Sequence, residues 1–333
     1  MKTLKKAVVI FMLLGSFRLV GPAAPTGWVV GWGDNVSGGA TGVPIVGYTN
    51  GLVTINGRIL TNAVAVSAGK AHGLAIRSDT TVVGWGLNNQ GQAIGIPSPG
   101  HTNGLVEIDG QILSNAVAVA AGGGSSLVLK SDGTVVCWGT QMGVSKTRLG
   151  ILQSNTVSIA NGFVGAVVKS DGTVVSLQGD QYKSLNNIVA LAISPGTGSG
   201  GNTIQLIALK RDGTAVELAL GTSNPPVSVA ASNVVAIAAG GQQRLALRGD
   251  ATVYEWGRPD SPPPGLSHVT AIATGRFHSM ALKSDGTVMT WGFPMPHVLD
   301  TPEGLSNVVA IAAGADFCLA ITTNRAVAEK FRH

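Results

Sequence analysis

At 333 residues, with 12% of them charged and 47 of them glycine, the chain implies many turns around a heavily apolar interior. Its mean hydropathy of +0.31 comes from short Val/Ala/Ile/Leu runs, none of which beyond the N-terminus is long and apolar enough for a membrane-spanning helix. The formal charge of +5 is concentrated at the start: Lys2, Lys5, Lys6 and Arg18 face no acid in the first 23 residues, and the other 18 of the 22 bases face 17 acids. The body is therefore close to neutral and lacks the basic stripe of a nucleic-acid surface.

Residues 1–23 read as an export signal. A lysine-bearing start leads into an apolar run from Ala7 to Phe17 and then into small residues through Gly21, Pro22, Ala23 and Ala24, with cleavage placed after Ala23. Arg18 cuts the apolar run short of the roughly 20 residues that a membrane span needs, and no Cys follows it to carry a lipid anchor. The expected organisation is a signal peptide at 1–23 and a single domain at 24–333, periplasmic or extracellular.

After the cleavage site stands GWVVGWG, Gly27 to Gly33, which has the form of a closing strand whose two partners are missing. Two long connections follow, Asp34 to Thr61 and Leu87 to Ser114, and they echo each other as GLVTINGRIL and GLVEIDGQIL. Each is expected to hold an extra hairpin turning at Asn56-Gly57 or Asp109-Gly110. The connections flank the repeat unit begun at Asn62 and should be spatial neighbours.

From Asn62 onward one phrase recurs, with copies starting at Asn62, Asn115, Asn155, Asn187, Asn233, His268 and Asn307. Their spacing averages about 41 residues, the range of propeller repeats. The clearest copy, HVTAIATGRFHSMALKSDGTVMTWG, reads as three short strands, VTAIA, HSMALK and TVMTW. Asp-Gly joins the second strand to the third, in a turn expected to hold both residues at positive φ. The Asn187 copy is stretched by a Gly/Ser-rich insertion, Ser194 to Asn202. The Asn307 copy decays into TTNRAVAEKF with no Trp-Gly, so the N-terminal strand is expected to complete it and to close a ring without exposed edges.

The phrase A-G-x-x-H-x-x-A-L-K-x-D-G-T-V-x-x-W-G resembles the regulator of chromosome condensation repeat family over nearly all of Gly27 to Ile321. The resemblance implies an all-β, seven-bladed β-propeller. It implies function poorly: the founding eukaryotic member is a chromatin-bound nucleotide exchange factor for a small GTPase, and exported bacterial relatives include a propeller-type β-lactamase inhibitor protein, a distant likeness. An export signal and a neutral body argue against the nuclear role and for an exported bacterial member.

The residue types that carry chemistry occupy repeat positions. His72 and His278 share a place that Ser125, Gln243 and Phe317 fill in other copies, and they read as core histidines bracing a turn. Trp32, Trp85, Trp138, Trp256 and Trp291 read as packing between blades, with Leu177 and Leu218 in their place in two copies. Asp79, Asp132, Asp171, Asp212, Asp250 and Asp285 all sit in the Asp-Gly turn, where geometry is their role. The other acids, among them Asp34, Glu107, Asp109, Asp180, Glu255, Asp260 and Asp316, show no spacing of an acid–base pair. Cys137 and Cys318 lie at different places in different copies and read as buried thiols without a disulfide. No HExxH, P-loop, GxSxG or Cys/His cluster is present; the sequence predicts no catalytic residue, no metal site and no cofactor.

Two function classes follow. The first is a non-enzymatic, monomeric propeller, a scaffold or an inhibitor, that binds another exported protein through inter-blade loops. The alternative is an envelope propeller that binds or cleaves carbohydrate, a reading weakened because only Tyr48, Tyr182 and Phe293 look free in connections to act as sugar platforms. Besides the two long connections, RPDSPPPG (Arg258 to Gly265) and FPMPHVLDTPEG (Phe293 to Gly304) are stiffened by proline. The candidate partner face comprises Tyr48, Arg58, His101, Arg258, Phe293 and His297, with neither nucleic acid nor stable membrane insertion expected.

Overall fold

The computed structural model describes residues 25–140, 150–151, 154–162, 164–177, 182–194, 204–220, 227–228, 231–241, 243–257, 262–294 and 297–331. Residues 1–23, where an export signal is expected, Arg258, Asp180, Asp260 and all but the first residue of the Ser194–Asn202 insertion lie outside them.

Each repeat forms one antiparallel meander. The Asn62 sheet runs Ala63–Ala68, His72–Arg77, Val82–Leu87 and His101–Leu105 in spatial order, and the Asn115, Asn155, Asn187, Asn233 and His268 copies repeat this plan in three or four strands. The remaining sheet joins the two ends of the described chain. Trp28–Asp34 pairs antiparallel with Phe317–Thr322, in register from Trp28↔Thr322 to Gly33↔Phe317, and carries Tyr48–Leu52 on its other side. Across to the next sheet, Gly27 and Ala63 exchange both backbone hydrogen bonds, at 3.0 and 3.1 Å.

In the sheet of each of the seven copies the pairing of the first strand with the second shifts register at the same point, one residue after the start. This repeated bulge leaves one residue unpaired and adds twist. The residue that opens each copy, Asn62, Asn115, Asn155, Asn187, Asn233, His268 or Asn307, has φ between +51° and +60°. Asn tolerates this left-handed backbone better than most residues. Its carbonyl accepts from the second-to-third-strand turn of its own copy, as in Ser131 N to Asn115 O at 2.9 Å.

The Asp-Gly turn differs from the expected two-residue form. Gly133, Gly172, Gly213 and Gly286 have φ near +80°, while the preceding Asp residues are not at positive φ. Lys130 O accepts from Gly133 N at 3.0 Å, and Lys130 N donates to Thr134 O at 2.8 Å. That is a longer loop with only its last corner left-handed. Asp132 Oδ1 instead accepts from the backbone N and the hydroxyl of Thr134, and Asp79, Asp171, Asp250 and Asp285 do the same for Thr81, Thr173, Thr252 and Thr287. The turn survives where Thr80 and Ala251 replace Gly, both at φ +65°.

The core is divided into clusters shared between consecutive sheets. Leu74, Ile76 and Val82 of the Asn62 sheet meet Val119, Val128 and Trp138 of the Asn115 sheet, and Val29, Leu319 and Ile321 meet Ala75, Val83 and Trp85. Trp138 is fully buried, and its Nε1 donates to Gln92 O at 3.0 Å, in the connection leaving the preceding sheet. Replacing Trp138 with Ala should cost roughly 3–5 kcal/mol, read as a lower urea midpoint; an unchanged midpoint would contradict its inter-sheet role.

The C-terminal residues, which show no repeat pattern, form a short helix at Arg325–Lys330 capped by the Asn324 side chain. Val327, Ala328 and Phe331 bury against the cluster that contains Leu305 and Val308. Among the described residues no helix is long and apolar enough to cross a membrane.

Candidate functional site

In an antiparallel meander the turns between strands one and two, and between three and four, share one end of the sheet, and the Asp-x-Thr turns occupy the other. At the first of these ends the two long connections form loops of one design. Asn35 Oδ1 accepts from Ala40 N and Thr41 N at 3.0 and 3.1 Å, while its Nδ2 donates to Val43 O and Thr41 Oγ1, both at 2.8 Å. Asn88 does the same one sheet along. Its Oδ1 accepts from Ala93 N and Ile94 N, and its Nδ2 donates to Ile96 O at 2.7 Å and Ser98 Oγ at 2.9 Å.

Both asparagines are fully buried, so each loop closes around a saturated amide rather than an apolar core. The Trp of the next sheet locks the loop from below: Trp85 Nε1 donates to Gly39 O at 2.8 Å, as Trp138 does to Gln92 O. Gly31 and Gly84 allow the fit, since a Cβ on either would stand within 2 Å of the Ala40 or Ala93 carbonyl.

With its polar groups turned inward, the first loop displays apolar side chains. Val36, Val43, Ile45, Val46 and Tyr48 are exposed, Val46 at 99%, and Ile96 follows on the second loop. The expected hairpins are present as Thr54–Ile55 with Arg58–Ile59 and as Glu107–Ile108 with Gln111–Ile112, with Asn56-Gly57 and Asp109-Gly110 at positive φ. The two connections touch: Asn103 Oδ1 accepts from Asn56 N at 2.7 Å, and its Nδ2 donates to Gly42 O at 2.9 Å.

Of the residues expected on the partner face, Tyr48 and His297 are in contact, their ring centroids 5.1 Å apart and their planes tilted by 45°, and His297 Nδ1 lies 3.1 Å from Asp300 Oδ2. Phe293 is exposed and stands 6.4 Å from the ring of Phe277. Arg58 is exposed on the hairpin strand Arg58–Ile59 of the first connection, and His101 is exposed at the start of the outer strand His101–Leu105 in the second. Tyr182 is not free in its connection as expected; it packs on the cluster around Leu185 and Ile188, because its ring is the apolar cover nearest a short third strand.

The repeat histidines couple sheets rather than bracing only their own turns. Both are fully buried, and burial pulls each pKa from the ordinary value down to about 4. His72 Nε2 lies 2.9 Å from Ser126 Oγ, whose proton goes to Gln92 O at 2.7 Å, so the imidazole is the donor. His278 Nε2 meets the buried thiol of Cys318 at 3.2 Å. Burial pushes the Cys137 thiol up to about 12 and that of Cys318 well above its usual value, which keeps both protonated near neutral pH.

Glu217 was not singled out by its spacing. Its Oε1 accepts from Arg244 Nε at 2.5 Å and its Oε2 from Trp256 Nε1 at 2.9 Å, and Glu255 accepts from Trp291 Nε1 at 2.8 Å. Both acids stand one residue before the Trp place of their copy, and that register was the signal available. Among the described residues no group of three or more His, Cys, Asp or Glu side chains is placed to hold a metal ion.

This assembly of twisted meanders is all-β and of propeller type. Residues 63–92, 116–141 and 269–293 match the family model described as Regulator of chromosome condensation (RCC1) repeat, so the chain carries repeats of that family. Similar solved structures include Prp20p from Saccharomyces cerevisiae, at 18% identity over 95% of each chain with a TM-score of 0.70, described with its binding to Gsp1p and histones. Human WBSCR16 is similar at 18% identity over 89% of this chain and 100% of its own, with a TM-score of 0.68. The curated protein sequences include no match. At these identities the likeness is one of fold.

Proposed function

We propose that residues 24–333 form a closed seven-bladed propeller, exported after removal of residues 1–23, that acts without catalysis by binding another exported protein. The observation that carries this reading is the pair of Asn-locked loops, which hold exposed apolar side chains on a rigid frame at one end of neighbouring blades. Rigid loops lose little entropy on binding, and a contiguous apolar surface is characteristic of an interaction site. The bonds joining Gly27 to Ala63, and Ala315 N to Gly69 O at 3.1 Å, support closure of the ring. Prp20p, described as binding Gsp1p and histones, is a precedent for a protein-binding propeller.

The test is affinity capture from the exported fraction on immobilised 24–333, with mass spectrometry of retained proteins and a glycan array beside it. One exported protein retained by the wild type, and lost by a Val46→Asp/Ile96→Asp variant that melts normally, is the expected result. Glycan binding with no protein partner would replace this reading with the carbohydrate one.

A further inference from the structure

We infer that a second copy of this chain docks beside Asn50, offering the Asp109-Gly110 hairpin of its second long connection. The contact repeats between molecules the one that already joins the two connections within a molecule. It goes beyond the protein-binding reading above and does not depend on it.

Within the chain, Asn103 holds the second connection to the first. It stands opposite Trp85 in the outer strand of the Asn62 sheet. Its amide reads two backbone groups of the preceding connection, accepting from Asn56 N at the hairpin tip and donating to Gly42 O. A Cβ on Gly104 would have Asn56 Nδ2 as its nearest atom, at 3.9 Å, so the hairpin tip crosses the strand at this glycine. One acceptor and one donor on the side chain thus meet one donor and one acceptor of backbone.

Each half of this contact occurs a second time without its mate. Asn50 is the twin of Asn103: their strands, YTNGL and HTNGL, share four letters, and Asn50 stands opposite Trp32 as Asn103 does opposite Trp85. Asn50 is exposed where Asn103 is half-buried, and its side chain bonds to no described residue. The connection that precedes it, Phe293–Gly304, has no hairpin among its described residues and meets this strand through His297 against Tyr48.

At the other end, Asp109 N and Gly95 O are the twins of Asn56 N and Gly42 O. Asp109 and Asn56 open the same hairpin turn, at φ +52° and +48°. Gly95 and Gly42 end the same Asn-locked loop, at φ +92° and +81°, each donating its N–H to the glycine four residues back at 2.8 Å. Gly42, under Asn103, is buried, while Gly95 is half-buried and Asp109 exposed, and Asp109 N and Gly95 O have no partner among the described residues.

The Asn56–Asn103 contact lies between these two halves in one molecule, so the mate of each is on another. A second copy is favoured over an unrelated partner because it carries a tip N–H and a loop carbonyl in the two turn geometries that this amide already reads. The halves are unlike, so the contact runs head to tail.

Sedimentation velocity and amide hydrogen exchange of 24–333 test this. Inside the chain the contact gains from an effective concentration on the order of millimolar, so between copies it is weak, and the protein is compared at about 10 μM and about 1 mM. The expected result is association at the higher concentration together with slowed exchange of the Asp109 amide. Asn50→Leu should weaken association about tenfold, the scale of two lost hydrogen bonds. It should also return Asp109 to its dilute exchange rate, although Asn50 and Asp109 do not touch within one molecule. Asp109→Asn, which copies Asn56, should keep both effects. Thermal melts qualify the variants, and the wild-type concentration series needs none.

A wild-type protein that stays monomeric, with Asp109 exchange independent of concentration, overturns the inference. Association that Asn50→Leu leaves intact overturns it as well, since another surface would then join the copies. A chain that stays monomeric but captures an exported protein, which Asn50→Leu releases, refutes self-docking and leaves the protein-binding reading standing.

Discussion

A chain lacking Gly27–Gly33 will not melt as one cooperative unit at the temperature of the intact protein. The strand it loses is hydrogen-bonded on both sides, to Phe317–Thr322 and to Tyr48–Leu52. It also supplies Val29, Val30 and Trp32, all essentially buried, to two different clusters. Burial of two Val side chains and one Trp is worth on the order of 10 kcal/mol, comparable with the whole net stability of a typical domain. Deletion also exposes two sheet edges that invite pairing with other chains, so aggregation should accompany the loss. Supplying residues 25–36 as a separate peptide should restore part of the transition. A deletion variant that unfolds cooperatively at an unchanged temperature would show that the fold does not depend on this strand and would count against the proposed closure. Gly31→Ala is a milder companion: its Cβ would stand 1.8 Å from Ala40 O, so it should displace the loop above while leaving the strand in place.

How much of this was legible in the sequence depends on the range of the interaction. The strands, the two Asn-Gly and Asp-Gly hairpins and the Trp places follow from local periodicity and turn chemistry, and they appear as expected except that Trp256 is only partly buried. The Asp-Gly turn between strands two and three was misread because the dipeptide is compatible with more than one loop. What decides between them is the Asp side chain bonding to the Thr two residues on, which the D-x-T spacing already contained. The Asn that opens each copy was visible as a repeated letter, but its left-handed backbone becomes necessary only once the bulge beside it is known. Asn35 and Asn88 were harder still. Each serves a loop whose atoms come from up to eight residues away for Asn35 and ten for Asn88, and nothing in the spacing distinguishes such an amide from a solvated one. The pairing of Glu217 with Trp256, 39 residues distant, required the register between two sheets.

The largest pH effect should come from His72 and His278. Both imidazoles are buried and neutral, with folded pKa values near 4 against an ordinary 6.5. Between those values the unfolded chain binds more protons than the native one, so stability falls as pH drops from about 6.5 toward 4. The geometry gives the same sign. His72 Nε2 already donates to Ser126, and its Nδ1 is buried with no partner, as is that of His278; a second proton would add a buried charge with an unmatched donor. The expected loss is about 2.5 kcal/mol per histidine by pH 4.5, and salt should screen it little because its cause is burial rather than a charged neighbour. The Asp-x-Thr turns act in a lower window. Their carboxyls are held below the usual value by the Thr bonds, Asp285 at about 2, so their contribution is lost only as pH falls beneath the ordinary carboxylate range. Gln243 shows how to separate the two. It occupies the histidine place of the Asn233 copy, fully buried, with its carbonyl accepting from Gly240 N as those of His72 and His278 accept from Gly69 N and Gly275 N. A His72→Gln/His278→Gln chain should therefore fold, and urea unfolding from pH 7.5 to 4.5 should be nearly flat for it while the wild type loses about 5 kcal/mol. Parallel slopes for the two proteins would mean that the acid sensitivity lies elsewhere.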